Sequence, residues 1–550
     1  MSKLDVYEYN GRNSGMEPEV GEAERKSNVD VFMDVLGNPG RFQMLQFVLL
    51  SMLFIACAMN DLAPIFYDLD PHKVDCSASN GGTVQPDLLW ANASETKWWH
   101  HPEVCKQYCP NSQVFWYYYR DNVTRSVVAD LNLICDNRAF ISLASTIYFV
   151  GCAVGGPTFG FLADKFGRRR ALFLANILYT TFSVGLIFIQ DIVAFIILRF
   201  AIGFARQGLQ ATFLVLMLEW THPEQRSRIG AATQFFYVAG VLLLAFFAFL
   251  FPWWRHLQIV LACANFVFLT YYWMAPESLQ WLLMNGRYTQ AEKNSQFVAK
   301  FNGINLHTDD LSLLQRLADE EEQLRASSTS RKTHSVLDCF RSKKLAILTL
   351  LSCYIWFVAN FGYIGISFMI GDISETMSAY ANLALAGSLE AIPTALTIPL
   401  VSKFGRRFPM AGYFTVATIF LCVAGSLTGN PAQLPLALVG RMSIVGSFSI
   451  IYVWATELFP TVIRNQGFGL LSLAFMTGGM VAPEVLLLGE RLGYAAGDLA
   501  IPITVIGCCT FLAVIAALIL PETKYRKNYP ETFEDVQALP YGFSNKCTGR

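Results

Sequence analysis

The segment GFLADKFGRR, residues 160–169, returns in shortened form as SKFGRR at residues 402–407. Each copy lies in a short polar loop between two long apolar runs. Further along the chain, each copy is followed by a glutamate and then an arginine: Glu219 and Arg226 in the first half, Glu457 and Arg464 in the second. The spacing from Glu to Arg is the same in both halves. Matches that recur in register indicate a duplicated unit, so the chain is expected to consist of two related halves.

The apolar runs are long enough to cross a membrane. Hydrophobic residues make up 53% of the 550 residues and charged residues only 15%, whereas a soluble domain has about 25% charged residues. About 20 apolar residues span a bilayer, and a helix is required there because lipid offers the backbone no hydrogen-bond partner. We predict twelve spans, at residues 42–65, 139–162, 171–190, 192–219, 229–251, 256–275, 345–370, 380–401, 409–429, 433–455, 465–488 and 499–520.

Lys and Arg are concentrated in alternate loops. The loop after span 2 holds Lys165 and Arg168 to Arg170, and the loop after span 8 holds Lys403, Arg406 and Arg407, whereas the alternate short loops at 190–191, 372–375 and 429–431 are nearly free of positive charge. The positive-inside bias therefore predicts that both termini are cytoplasmic. The resulting division is a cytoplasmic segment 1–41, a first bundle 42–275 with an extracellular loop 66–138, a cytoplasmic linker 276–344, a second bundle 345–520 and a cytoplasmic tail 521–550.

The loop 66–138 has the features of an extracellular segment. Both Asn-x-Ser/Thr sequons of the chain fall in it, at Asn92 and Asn122, and we expect both asparagines to be glycosylated. Four cysteines in an oxidising compartment predict two disulfides in one of three pairings. These cysteines are Cys76, Cys105, Cys109 and Cys135.

The charged residues of the repeated segments suggest a gate. An Asp, a glycine turn and paired arginines at a cytoplasmic helix end can hold a neighbouring helix by charge-assisted hydrogen bonds. Asp and Glu contribute little to the positive-inside bias, so their presence needs another reason. We expect one gating latch in each half, formed by Asp164, Arg168, Arg169, Glu219 and Arg226 in the first and by Arg406, Glu457 and Arg464 in the second.

Longer motifs surround these segments. PESLQWLL at 276–283 and ELFPTVIRNQG at 457–467 stand after spans 6 and 10. With the loop 160–169 and the long cysteine-containing loop 66–138, they resemble the organic cation, anion and zwitterion (carnitine) transporter family of the major facilitator superfamily. The resemblance implies an all-α membrane protein with two pseudo-symmetric six-helix bundles, the major facilitator fold. It also implies a facilitative or exchange transporter at the plasma membrane that moves small organic ions by alternating access.

Charged residues inside the spans are the first candidates for a substrate site, because each costs about 2.5–3.5 kcal/mol to insert. Glu390 in span 8 is the candidate counter-ion for a cationic group, with a buried arginine as the alternative partner. Asp61 at the outer end of span 1 faces the mouth of the cavity or marks the membrane interface. Arg206 in span 4 binds a substrate carboxylate or pairs with Glu390 or Glu219.

Aromatic side chains can bind an organic cation through their ring faces. We expect Tyr363, Tyr452, Phe236 and Trp356 in the substrate site. The resemblance places an Asp in cation carriers, or an Arg in anion and carnitine carriers, at the position of Met476 in span 11. Neither charge is present, so this position does not select the charge of the substrate. With Glu390 as the candidate counter-ion, cations or zwitterions are the preferred substrates, and an organic anion or carnitine-like substrate is the alternative.

The sequence lacks the signals of other function classes. It has no phosphate-binding loop, no His or Cys pairs at metal-ligand spacing and no nucleophile motif. The net charge of −1 gives no field for nucleic acid. We therefore predict no enzyme activity, no metal, no cofactor and no nucleic acid, with the organic ion and the lipid bilayer as partners and any coupled ion left open. A receptor or adaptor that kept the fold without transport is the alternative of another class.

Overall fold

The computed structural model describes residues 28–37, 40–69, 73–77, 83–84, 115–118, 125–327, 336–373, 378–427, 430–460, 463–491 and 499–523. Both predicted glycosylation sites, Asn92 and Asn122, lie outside these residues, as do Cys105 and Cys109. Cys76 lies in a β-strand, and Cys135 is disulfide-bonded. The pairing of the four cysteines stays a prediction.

The described chain is almost entirely helical. The α-helices are α1 (Asn28–Val35), α2 (Arg41–Leu62), α3 (Pro64–Tyr67), α4 (Val127–Asp130), α5 (Ala139–Phe166), α6 (Arg168–Ile187), α7 (Ile192–Glu219), α8 (Pro223–Leu250), α9 (Trp254–Phe268), α10 (Tyr271–Met274), α11 (Leu279–Met284), α12 (Tyr288–Asn302), α13 (Thr308–Ser327), α14 (Lys343–Ile373), α15 (Ala379–Phe404), α16 (Arg407–Ser426), α17 (Gln433–Leu458), α18 (Arg464–Arg491) and α19 (Ala500–Ile519). Short 3₁₀ turns cover Cys135–Asn137 and Val336–Phe340.

Twelve helical segments among the described residues are long and apolar enough to cross a membrane, which confirms the predicted number of spans. Spans 1 to 6 are α2, α5, α6, α7, α8 and α9, and spans 7 to 12 are α14 to α19. Span 1 continues past Leu62 into α3, which begins at Pro64, a residue that has no N–H to donate within a helix. The predicted five-part division of the chain stays a prediction.

The segment between spans 1 and 2 contains a small sheet that the all-α prediction did not include. Strands β1 (Lys73–Ser77), β2 (Thr83–Val84) and β3 (Phe115–Tyr118) form an antiparallel sheet in the order β2-β1-β3. Aromatic side chains favour strands, and β3 has the sequence FWYY. We call the membrane side that carries this sheet the loop side, and the side that carries α11 to α13 the linker side.

The two six-helix halves meet along spans 2 and 11 and along spans 5 and 8. Thr146 near the loop-side end of span 2 donates a hydrogen bond to the backbone oxygen of Met480 at 2.9 Å. The rings of Phe249 and Tyr380 lie 5.2 Å apart at the loop-side ends of spans 5 and 8. These contacts hold the halves together on the loop side, next to a cavity that lies between them.

Candidate functional site

The cavity between the halves contains about 860 Å³ of space, open solvent included, and side chains from both halves line it. Six of the seven predicted binding residues are among the lining residues: Glu390, Asp61, Tyr363, Tyr452, Trp356 and Met476. Phe236, the seventh, is not among them, and its ring packs against Phe47 at 5.7 Å. The next residue along span 5, Tyr237, lines the cavity instead.

An ion pair from the first half lines this cavity. Asp61, in the last turn of α2, accepts a charge-assisted hydrogen bond from Arg206 of span 4, and both side chains are buried. The Tyr148 hydroxyl donates to the same carboxylate at 2.5 Å, and the Tyr237 hydroxyl at 3.4 Å. Extra hydrogen bonds of this kind are what a buried ion pair needs to offset the loss of water. Arg206 therefore pairs with neither of the partners that the sequence suggested.

A second ion pair comes from the second half. Glu390 of span 8 pairs with Arg441 of span 10, and each side chain is only 1% exposed. The Tyr363 hydroxyl lies 3.5 Å from the Glu390 carboxylate, and the Arg441 guanidinium lies 4.5 Å from the centre of the Tyr363 ring. Arg441 also donates from Nε to the Ser367 hydroxyl at 2.9 Å. The buried arginine that was the alternative partner of Glu390 is therefore Arg441, a residue that sequence reasoning did not assign to this role.

The repeated segments form matching ion pairs on the linker side. Arg168 donates from Nε to both carboxylate oxygens of Glu219, at 3.2 and 3.1 Å. Arg406 contacts Glu457 at 2.6 Å. Asp164 contacts Arg168 at 3.1 Å but is 76% exposed, so its contribution is small. Each pair joins helices of one half, and neither bridges the halves.

A glutamate that sequence reasoning did not single out completes each of these sites. Glu277 accepts hydrogen bonds from the backbone N–H groups of Arg168 and Arg169, at 2.9 and 3.2 Å. Glu522 does the same for Arg406 and Arg407, at 3.0 Å each. A carboxylate at a helix N-terminus satisfies orphan N–H groups and the helix dipole. The signal was present in the sequence, because Pro-Glu followed by Ser or Thr stands after the last span of both halves.

Two opposing effects act on the pKa of the Glu277 carboxyl. Burial raises the pKa of the Glu277 carboxyl above its usual value, and the backbone N–H groups of Arg169, Ser278 and Arg168 lower it.

The remaining predicted latch arginines, Arg169, Arg226 and Arg464, each stand in the first turn of a helix. Arg169 donates from Nε to the Tyr272 backbone oxygen at 2.8 Å. Arg226 donates to backbone oxygens near the end of α7, and Arg464 begins α18.

Comparison with known proteins decides the family. The model of the family described as sugar (and other) transporter matches residues 106–533, more than half of the chain. The chain belongs to this transporter family. The match is to carriers and not to enzymes, which confirms the expectation that the protein is not an enzyme.

Three relatives of the transporter cover most of its length. Solute carrier family 22 member 7 from Mus musculus is 31% identical over 430 residues, which are 77% of this chain and 76% of the relative. The organic cation transporter protein from Drosophila melanogaster is 28% identical, with 91% and 93% covered. Organic anion transporter 3 from Sus scrofa is 29% identical, with 92% and 93% covered. These relatives confirm the resemblance drawn from the motifs.

Solved structures confirm the fold of the transporter. The xylose transporter XylE from E. coli, in an inward open conformation, superposes with a TM-score of 0.60 over 89% of this chain and 98% of its own. The two chains are 17% identical, so this likeness concerns the fold alone. It confirms the predicted major facilitator fold of twelve membrane helices.

The two walls of the transporter's cavity differ in chemistry. The second half contributes a cluster of aromatic rings, in which Tyr363 lies 5.4 Å from Phe448 and Trp356 lies 4.9 Å from Tyr452. The first half contributes three glutamine amides, Gln207, Gln210 and Gln234, besides the rings of Phe54, Phe149 and Tyr237. A ligand can therefore place an apolar or cationic group against aromatic rings and hydrogen-bonding groups against the amides, most of which belong to the first half.

The two buried arginines also have hydrogen-bonding capacity left. Within the described part of the chain, Arg206 Nε and Arg441 Nη2 are buried and have no hydrogen-bond partner. Buried donors without a partner are unusual, and their desolvation costs about 1–3 kcal/mol each. Arg206 is among the lining residues of the cavity and Arg441 is not, so an acceptor oxygen of a ligand is expected to satisfy Arg206 Nε.

The glycines of the repeated segments are required by backbone geometry. Gly167 has φ 105° and ψ 150°, and Gly405 has φ 85° and ψ −160°, a region that glycine alone occupies readily. A Cβ atom on Gly167 would also overlap the Glu277 carboxylate. The carboxylate that caps the helix therefore occupies the space that a side chain would need.

Replacing Gly167 with Ala is expected to lower the free energy of unfolding by about 1–3 kcal/mol, from backbone strain and displacement of Glu277. Thermal unfolding of the purified transporter in detergent measures this change. Gly160→Ala is the matched control, because Gly160 lies within α5 and a Cβ atom added to it would meet nothing within 4 Å. The control is expected to be neutral or slightly stabilising. Equal unfolding of the two variants would contradict the capping role of Glu277.

Proposed function

We propose that the transporter moves small organic ions across the plasma membrane, with both termini cytoplasmic, by facilitation or exchange. The observation that carries this proposal is the presence of two buried ion pairs, one in each half, whose carboxylates, Asp61 and Glu390, line one cavity. A site between two halves that meet on one side is the arrangement that alternating access uses. The names of the relatives support organic ions as the substrate class, since one is called an organic cation transporter and another an organic anion transporter.

Among organic ions, the charges of the cavity favour a zwitterion. Each carboxylate, Asp61 and Glu390, is already neutralised by an arginine. A simple cation or anion would add one uncompensated charge to a buried site, which is costly. A zwitterion adds no net charge. Its cationic group can approach Glu390 and the aromatic rings, while its carboxylate approaches Arg206, whose Nε has no hydrogen-bond partner among the described residues.

An organic anion is the second candidate. The buried Nε donor of Arg206 favours an acceptor group on the ligand whether or not the ligand also carries a positive charge. Met476 lines the cavity without adding either charge. A non-transporting receptor or adaptor is the candidate of another class.

The latch residues are proposed to keep each half rigid. Because Arg168–Glu219 and Arg406–Glu457 join helices within one half, they act on the shape of that half. Glu277 and Glu522 add a second connection to the same helix ends. Halves that keep their shape can rock against each other around the cavity, which is the gating role we assign to the predicted latch residues.

The test is uptake by cells that express the chain, with and without sodium and at two external pH values. The probes are a permanent cation, a zwitterion with a quaternary ammonium, and an aromatic anion. We expect saturable uptake of the zwitterion above that of the other two. Uptake of the anion alone would support the second candidate and contradict the zwitterion.

The same cells can be used to test the glycosylation and the membrane location of the protein. A shift in gel mobility after deglycosylation would test Asn92 and Asn122, and surface labelling would test the plasma membrane location. No uptake of any probe, with the protein at the surface, would overturn the transport proposal and favour a receptor or adaptor.

A further inference from the structure

The linker helix α12 has one buried face and one exposed face. The buried face consists of small residues and a valine: Ala291, Ser295, Val298 and Ala299. The opposite face exposes two large aromatic side chains, Phe297 at 52% and Phe301 at 43%. They stand four residues apart and therefore lie side by side on the helix. Two exposed phenylalanines in a polar linker need a partner.

These phenylalanines lie beside the start of span 1. The Phe42 ring is centred 6.0 Å from Phe297 and 5.9 Å from Phe301. Asn302, the last residue of α12, fixes this arrangement. Its Oδ1 accepts from the Phe42 backbone N–H at 2.8 Å, and its Nδ2 donates to the Leu36 oxygen at 2.7 Å. The helix is therefore held at the level of the first turn of a membrane span.

That level corresponds to the boundary between lipid headgroups and acyl chains. Span 1 runs over 27 residues, whereas about 20 suffice to cross the hydrocarbon core. Because the span also begins at the charged Arg41, we expect its first turn to lie in the headgroup region. One turn further, the side chains of Met44, Leu45 and Val48 are exposed at 54%, 38% and 40% and form the lipid-facing surface of the span. Phe297 and Phe301 lie beside the start of span 1 and extend this apolar surface onto α12.

Basic side chains surround the two phenylalanines. Lys293 and Lys300 are exposed on the same side of α12, and Arg41 is exposed at the start of span 1. The single acidic residue of α12, Glu292, is half-buried and accepts from Gln296 at 3.1 Å. Phenylalanine beside lysine on one helix face is the pattern of helices that lie in the membrane interface.

We propose that α12 lies in the headgroup region of the bilayer and binds anionic phospholipid. Phe297 and Phe301 enter the boundary of the acyl chains, and Lys293 and Lys300 bind the phosphate of the headgroup. The linker is then attached to the membrane surface through this helix. This inference concerns a different surface from the substrate cavity and does not depend on what the cavity binds.

The test uses the full chain in nanodiscs with an environment-sensitive fluorescent amino acid in place of Phe297. The control carries it in place of Gln315, which is exposed on α13. We expect the probe at 297 to emit at shorter wavelength and to be quenched by phosphatidylglycerol brominated near its carbonyl groups, and the probe at 315 to show neither effect. Equal behaviour at both positions would overturn the proposal. A shift to shorter wavelength without quenching would overturn it too, because another segment of the chain would then cover the helix.

A second arm tests the charge. With the probe at 297, brominated phosphatidylglycerol is expected to quench more than brominated phosphatidylcholine, with a local enrichment of about fivefold for each lysine. The double variant Lys293→Gln/Lys300→Gln should lose this preference. Arg316→Gln, which removes an exposed charge from α13, should keep it. An unchanged preference in the double variant would contradict the binding of anionic headgroups.

Discussion

Replacing Glu390 with Gln is expected to abolish saturable uptake of the zwitterion and to destabilise the transporter by about 3–5 kcal/mol, because it leaves a buried guanidinium without its counter-charge. Glu390 and Arg441 are each 1% exposed, so water cannot take the place of the missing carboxylate. Uptake into cells and thermal unfolding of the purified protein measure the two effects. Asp319→Asn is the matched control, since Asp319 is an exposed acid on α13 that does not line the cavity.

A double variant separates binding from folding. In Glu390→Gln/Arg441→Met both charges are gone, and replacement of a whole buried ion pair by groups of similar volume is often neutral for stability. We expect the double variant to regain most of the lost stability and to remain inactive. Recovery of uptake together with stability would mean that the pair is structural and that the substrate does not contact it.

The second large effect is expected on the KM for the zwitterion when Arg206 is replaced with Lys. Arg206→Lys keeps the positive charge opposite Asp61 but removes the Nε donor that has no partner within the described part of the chain. A hydrogen bond to a charged group contributes about 1.5–3 kcal/mol. The KM for the zwitterion should therefore rise about 10- to 100-fold with little change in expression.

A substrate analogue serves as the control for this prediction. An amine of the same size without the carboxylate would not use the Arg206 donor, so any weak inhibition that it causes should be the same in the original protein and in Arg206→Lys. An equal rise of KM for the zwitterion and of the inhibition constant for the amine would show that the substitution distorts the cavity as a whole. That result would remove Arg206 from the substrate site.

The two buried ion pairs differ in their place in the fold. Asp61–Arg206 joins spans 1 and 4, whereas Glu390–Arg441 joins spans 8 and 10. These two pairs therefore do not stand at equivalent positions of the two halves. The pairs Arg168–Glu219 and Arg406–Glu457 do stand at equivalent positions. The two halves thus keep the same ion pair where helix ends are held together, and they differ in their ion pairs where the substrate is expected to bind.

The sequence by itself determined the twelve spans, the two related halves and the residues that bear charge inside the membrane. These features follow from local physics. A lipid-embedded segment must be helical, its length must match the bilayer, and a charge in it is costly enough to mark a site. The loop geometry was also local, because the glycines of the repeated segments have backbone angles that other residues rarely adopt.

Only the tertiary structure decided which of these residues meet. The sequence suggests Glu390 or Glu219 as the partner of Arg206, but the fold brings Asp61 against it, and Arg441 takes Glu390. Span 5 presents Tyr237 to the cavity instead of its neighbour Phe236, because successive residues on a helix point about 100° apart. Spacing along the chain carries no information about how a helix is rotated against helices far away in sequence. That rotation is set by packing among all the spans, and it decides which charges are neutralised and which wall of the cavity each side chain forms.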